Sequence, residues 1–198
     1  IELSKKIAKI INREDDDSRE ILKRLLLKRK QIIHKAENKK SIFEDILKEH
    51  REKTGSLKYT LVYVPEGNQP DDQGADVFDT IERIKDDEDT IHLINEYTRI
   101  VRDVDSHIVV RQFTSESTDR DAILADFAKG NIDVLTSMKC LDEGVDVPRS
   151  EFAIFCASTG NPRQFIQRRG RVLRTHNDKR FAIIHDLVVI PQINFDPD

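Results

Sequence analysis

The sequence predicts an α/β domain, a parallel sheet covered by helices on both faces, with a helical segment in front of it. Three observations carry that reading. Short apolar runs rich in β-branched and aromatic residues recur at residues 57–64, 107–113, 132–136, 151–156 and 180–187. Amphipathic helical stretches separate them, and strands alternating with helices at this spacing are joined by right-handed crossovers into a parallel sheet. Residues 1–53 contain neither glycine nor proline and carry apolar residues at helical spacing.

In chain order, Ile7, Ile10 and Ile11 mark a first helix. The acidic run 14–17 and Ser18 mark a break and a new helix start, where negative charge suits the helix dipole. Ile21, Leu22, Leu25, Leu26, Ile32 and Ile33 define the second helix, and Ile42, Phe43, Ile46 and Leu47 the third. The basic residues among them, Lys23, Arg24, Lys28 and Arg29 for example, are read first as a solvated face. Thr54 and Gly55 end the helical region. The run LKYTLVYV at 57–64 is a buried strand closed by Pro65 and Gly67, and the acidic residues 68–89 are a loop insertion with a turn of helix at 78–84. A helix follows at 88–103, then a strand at 107–113. The next helix, at 117–129, turns Ile123, Leu124 and Phe127 inward, with Gly130 placed for a left-handed C-cap. The expected organisation is a helical extension at 1–56, the α/β domain at 57–190, and a tail or new segment at 191–198.

The 198 residues carry a formal charge of -4 that is segregated along the chain. Residues 1–53 hold 16 basic and 11 acidic side chains, residues 54–160 hold 10 and 22, and residues 161–198 hold 7 and 4. A middle this acidic confines any polyanion contact to a local site. Cys140 and Cys156 are too few for a disulfide framework or a zinc site, so two reduced thiols in a cytoplasmic protein and no metal centre are expected. No apolar run is long enough to span a bilayer and no signal-peptide pattern is present, so no membrane partner is expected. The chain starts at Ile1, inside an apparent helix, and reads as a piece of a longer protein.

Residues 161–174, NPRQFIQRRGRVLR, concentrate the chemistry. Asn161 can cap a helix and Pro162 suits its first turn. From that phase Arg163, Gln167, Arg171 and Arg174 fall on one stripe, while Phe165, Ile166, Val172 and Leu173 fall opposite and are expected to face the sheet. Guanidinium forks match phosphate oxygens and stay charged at any working pH. Gly170 inside the helix suggests a close backbone approach. Two loops leave the carboxyl ends of strands, where ligands collect in parallel sheets: residues 136–148 and 157–161. Thr136 and Ser137 offer donors suited to backbone phosphates. Gly144, Asp146 and Pro148 make a turn whose carboxylate suits a ribose hydroxyl.

On these residues, 57–187 resembles the second RecA-like domain of superfamily 2 helicases and translocases, in the branch holding excision-repair helicases and restriction-enzyme motor subunits. LVYV at 61–64 looks like motif IV, LTSMKCLDEGVDVP like motif V and QFIQRRGRVLR like motif VI. The stretch RDAILADFAKGNIDVLTS matches the run leading into motif V. The resemblance implies a RecA-like, P-loop NTPase-type fold without a P-loop. It implies that Arg171 and Arg174 act as arginine fingers on ATP, with Gln167, Gly144 and Asp146 near the nucleotide. Thr136, Ser137 and Thr114 would contact the nucleic-acid backbone, DNA before RNA. Leu173 stands where many helicases have glycine, a leucine common in this branch. No GxxxxGK followed by Ser or Thr occurs in the chain, and no acidic box follows a strand. ATP and Mg2+ are therefore expected to be held mainly by the first RecA-like domain of the parent protein, and these residues alone are expected neither to hydrolyse ATP nor to unwind. The rival reading is a non-enzymatic α/β module whose arginine stripe binds nucleic acid or a phosphoprotein.

Overall fold

The computed structural model describes residues 2–13, 15–36, 38–65, 83–114, 116–138, 147, 149–156 and 162–190. These divide into two compact units, residues 1–36 with 188–198, and residues 37–187. In the first, α1 (Glu2–Ile10) packs against α2 (Asp16–His34). The expected break between them is present, and the Ser18 N–H donates to Asp15 Oδ1 at 2.8 Å, a capping bond that also holds the Asp15 carboxyl below its ordinary pKa.

The second unit contains every expected strand: β1 (Thr60–Tyr63), β2 (Val110–Phe113), β3 (Val134–Ser137), β4 (Phe152–Phe155) and β5 (Ile183–Asp186). They form one sheet in the order β2-β3-β1-β4-β5, and each neighbouring pair is parallel. The helices are α3 (Asn38–Thr54), α4 (Arg83–Val104), α5 (Arg120–Lys129) and α6 (Pro162–Val172). Alternate strand residues supply two separate cores, as the period of two requires. Val62, Val134 and Ile154 pack with Phe43 and Leu47 of α3 and with Ile94, Tyr97 and Val101 of α4. Leu61, Tyr63, Leu135 and Phe155 pack with Phe127 of α5 and Val172 of α6. Helices therefore cover both faces, as the sequence predicts.

The compact unit begins at Glu37, whereas the sequence reading counted residues 1–56 with the extension. The reason lies in the core: Phe43 and Leu47 are fully buried beside Leu57 and Val62, so α3 is a layer of the sheet domain. His50 of α3 stacks flat on Phe152 of β4, with centroids 3.8 Å apart. At the end of α5, Gly130 takes the expected left-handed conformation at φ 77 and its N–H donates to Phe127 O. Tyr59, entering β1, is the one described non-glycine residue with positive φ, at 59.

Register makes the carboxyl edge level. Phe113, Ser137, Tyr63, Phe155 and Asp186 lie side by side as the last residues of the five strands.

Candidate functional site

The site is built on that level edge. Beyond β4, the Cys156 N–H still donates to Tyr63 O at 2.9 Å, but the Cys156 carbonyl has passed the end of the ladder. It accepts a bond from Lys39 Nζ of α3 at 2.8 Å. Lys39 is buried, and burial lowers its pKa. The Cys156 thiol is fully buried and its pKa is pushed up by desolvation, which makes it an inert core thiol. Cys140 lies outside the described residues.

The helix α6 is turned differently from its expected phase. Val172 is fully buried as expected, but Ile166 is 67% exposed and Leu173 58% exposed, while Arg168 is only 8% exposed. The reason is the surface beneath. Tyr63 and Phe155 stack with centroids 4.5 Å apart, and guanidinium planes pack on such ring faces. Arg168 lies 5.7 Å from the Tyr63 centroid and Arg169 4.9 Å from that of Phe155. Arg169 also pairs with Asp186 of β5. Desolvation, with the neighbouring Arg168 charge, lowers the Arg169 pKa. Arg120 of α5 repeats the arrangement 4.9 Å from the Phe113 centroid, so three arginines cover three rings of one row.

With Arg168 and Arg169 turned to the sheet, the expected nucleotide-facing set lies elsewhere on α6. Gln167 is exposed and Arg171 half-exposed one turn on, and Arg174 is exposed. The helix stops at Val172, two residues short of its expected end, so Arg174 stands past its last turn. The expected close approach at Gly170 is not found: a Cβ there meets nothing within 4 Å. Asn161, Gly144 and Asp146 lie outside the described residues, as do the side chains of Arg163 and Phe165.

The hydroxyl residues separate. Thr136 and Ser137 are both fully buried. Thr136 Oγ1 lies 2.9 Å from Thr98 Oγ1 of α4, and Thr98 also accepts from Gln112 Nε2 at 3.1 Å. That network faces α4 beneath the sheet. Ser137 Oγ donates to Met138 O at 3.1 Å. Thr114, just past β2, is half-exposed, and its N–H donates to Ser117 Oγ at 3.0 Å. Among the described residues no group of three or more His, Cys, Asp or Glu comes together to hold a metal ion.

Sequence reasoning missed Lys39 and the inward arginines. Nothing in the sequence marks Lys39, which stands among other lysines. The pair Arg168–Arg169 did carry a signal: two arginines adjacent to each other cannot both lie on the stripe of Arg171 and Arg174.

Residues 77–176, half of the chain, match the model of the helicase conserved C-terminal domain. Over 77 residues the chain is 39% identical to the DNA 3'-5' translocase XPB2 of Sulfurisphaera tokodaii, covering 39% of this chain and 17% of that relative. Two solved structures share the fold. A fragment of a putative HsdR subunit of a type I restriction enzyme from Vibrio vulnificus matches with a TM-score of 0.55 and 19% identity, covering 75% of this chain and 26% of that one. Domain 2 of the DEAD-box helicase Mss116p, bound to an RNA duplex, matches with a TM-score of 0.54 and 14% identity, covering 76% and 50%. The five-stranded parallel sheet with helices on both faces is thus a RecA-like α/β fold.

Proposed function

The chain belongs to the helicase conserved C-terminal domain family, and from that premise we propose that it is the second motor domain of an ATP-dependent DNA translocase or helicase. The observation that carries this is the division of labour along and just past α6: Arg168 and Arg169 serve the sheet, while Gln167 and Arg174 are exposed and Arg171 is half-exposed. In this reading Arg171 and Arg174 place their guanidinium groups on the β- and γ-phosphates of ATP as the cleft closes. They neutralise charge that grows on the transferring phosphoryl group. Gln167, Gly144 and Asp146 line the same nucleotide. ATP and Mg2+ are held mainly by a first RecA-like domain that carries the P-loop, a motif absent from these 198 residues.

Thr114 is the hydroxyl residue best suited to a nucleic-acid phosphate, since it is half-exposed at the end of β2 beside Ser117. Thr136 and Ser137 are the other two hydroxyl residues assigned to the nucleic-acid backbone in this reading, and both are fully buried in this structure. DNA is favoured over RNA because the 39% identical relative is named a DNA translocase.

The test uses the full-length protein. Arg171→Ala and Arg174→Ala are each expected to lower nucleic-acid-stimulated ATP turnover by about 10³-fold or more, with nucleic-acid affinity and its salt dependence nearly unchanged. Unchanged turnover with weakened, less salt-dependent binding would instead identify the two arginines as a nucleic-acid-binding patch, as the rival reading has them.

A further inference from the structure

The helical phase that aims Arg171 does not reach Arg174, because α6 ends at Val172. The turn that follows is held by a residue farther along the chain. Lys179 Nζ donates to the Val172 carbonyl and, at 2.9 Å, to the Arg174 carbonyl. Carbonyls at a helix C-terminus have no intrahelical donor, and a cation there is favoured by the helix dipole as well. The return is itself closed: the Lys179 N–H donates to His176 O at 3.0 Å, and the Asp178 N–H donates to His176 Nδ1 at 3.2 Å. At the other end of the turn Val172 is fixed in the core with no exposed surface. One ammonium therefore closes the segment from Val172 to Lys179 into a loop whose backbone carries Arg174. Lys179 is half-buried, and desolvation, aided by Arg149 and opposed by Glu151, lowers its pKa.

We propose that Lys179 is the positioning residue of Arg174, fixing through the Val172 and Arg174 carbonyls the turn from which that guanidinium projects. The inference rests on the reading of Arg174 as a group that meets ATP phosphates. Lys179 touches the backbone of the finger and not the nucleotide, so its loss misplaces the guanidinium while leaving ground-state binding in place.

The experiment compares Lys179→Met, Lys179→Arg, Arg174→Ala and the double variant Lys179→Met with Arg174→Ala in the full-length protein. Lys179→Met is expected to lower kcat for stimulated ATP hydrolysis by about tenfold to a hundredfold. KM for ATP and Kd for DNA should stay within about twofold. Lys179→Arg, which keeps a cation and several donors, should restore most of kcat. Adding Lys179→Met to Arg174→Ala should leave the single-turnover rate within about twofold of Arg174→Ala alone, because the two act as a unit. Leu187→Ala, a buried change beyond β5, reports a purely structural role: it should lower Tm without lowering kcat at a temperature where the protein is folded. If Lys179→Met melts below the assay temperature, Lys179→Gln is read in the same way. A kcat close to wild type in the folded lysine variant, with Arg174→Ala inactive, overturns this inference and leaves the functional reading standing. So does a further multiplicative loss in the double variant. Full turnover in Arg174→Ala overturns the functional reading and this inference with it.

Discussion

His50 shows how one side chain can make this domain sensitive to pH. Its ring lies flat on Phe152, and Phe152 meets His185 edge-on at 5.5 Å. Desolvation, the His185 charge and the Lys53 charge all lower the His50 pKa from its ordinary value. The folded state thus binds fewer protons than the unfolded state just below about pH 6.5. Stability from this residue is full above that value and is lost as pH falls towards the folded-state pKa. His50→Phe keeps the ring contact and removes the titration. Thermal melts between about pH 8 and 5 should therefore show a shallower fall in Tm for the variant than for the wild type. Lys39 is the opposite kind of residue, a cation whose burial is offset by one carbonyl. Its bond to Cys156 O supplies a donor where the strand ladder has none left to give.

Among elements, the five strands were legible because each is a short apolar run between polar or turn residues, and α5 because Gly130 punctuates it. Gly130→Ala tests that punctuation. At φ 77 an alanine is strained, and its Cβ would lie 2.8 Å from Tyr59 Oη. A loss of roughly 1–2 kcal/mol in unfolding free energy by urea denaturation is expected. The orientation of α6 was not legible. Its pattern was read by hydrophobicity, and the sheet beneath offers Tyr63 and Phe155, ring faces that accept arginine as well as they accept leucine. Ile166 and Leu173 were consequently placed inside, and Arg168 was assigned to neither side. The side chosen by Thr136 was hidden for a related reason. Its neighbours in β3 are buried on both faces, so no alternation of polar and apolar residues revealed that its hydroxyl meets Thr98.

For the molecule as a whole, the division at Glu37 means that residues 37–187 hold both cores and all five strands. A protein of residues 37–187 is expected to unfold in one cooperative thermal transition by circular dichroism. Removal of residues 37–56 as well, which deletes Phe43 and Leu47, should abolish that cooperativity. The sequence could not place this boundary, because amphipathicity declares that a helix needs a partner and not which partner it takes. The sheet's strand order also sets a schedule. The central strand β1 leaves the ribosome first, while its register partners arrive later, Val134 of β3 and then Phe152 of β4. At about 5–20 residues per second the four buried residues of β1 spend several seconds with both edges open. This domain's most aggregation-prone moment thus falls during its own synthesis, before the arginine helix that defines it has been made.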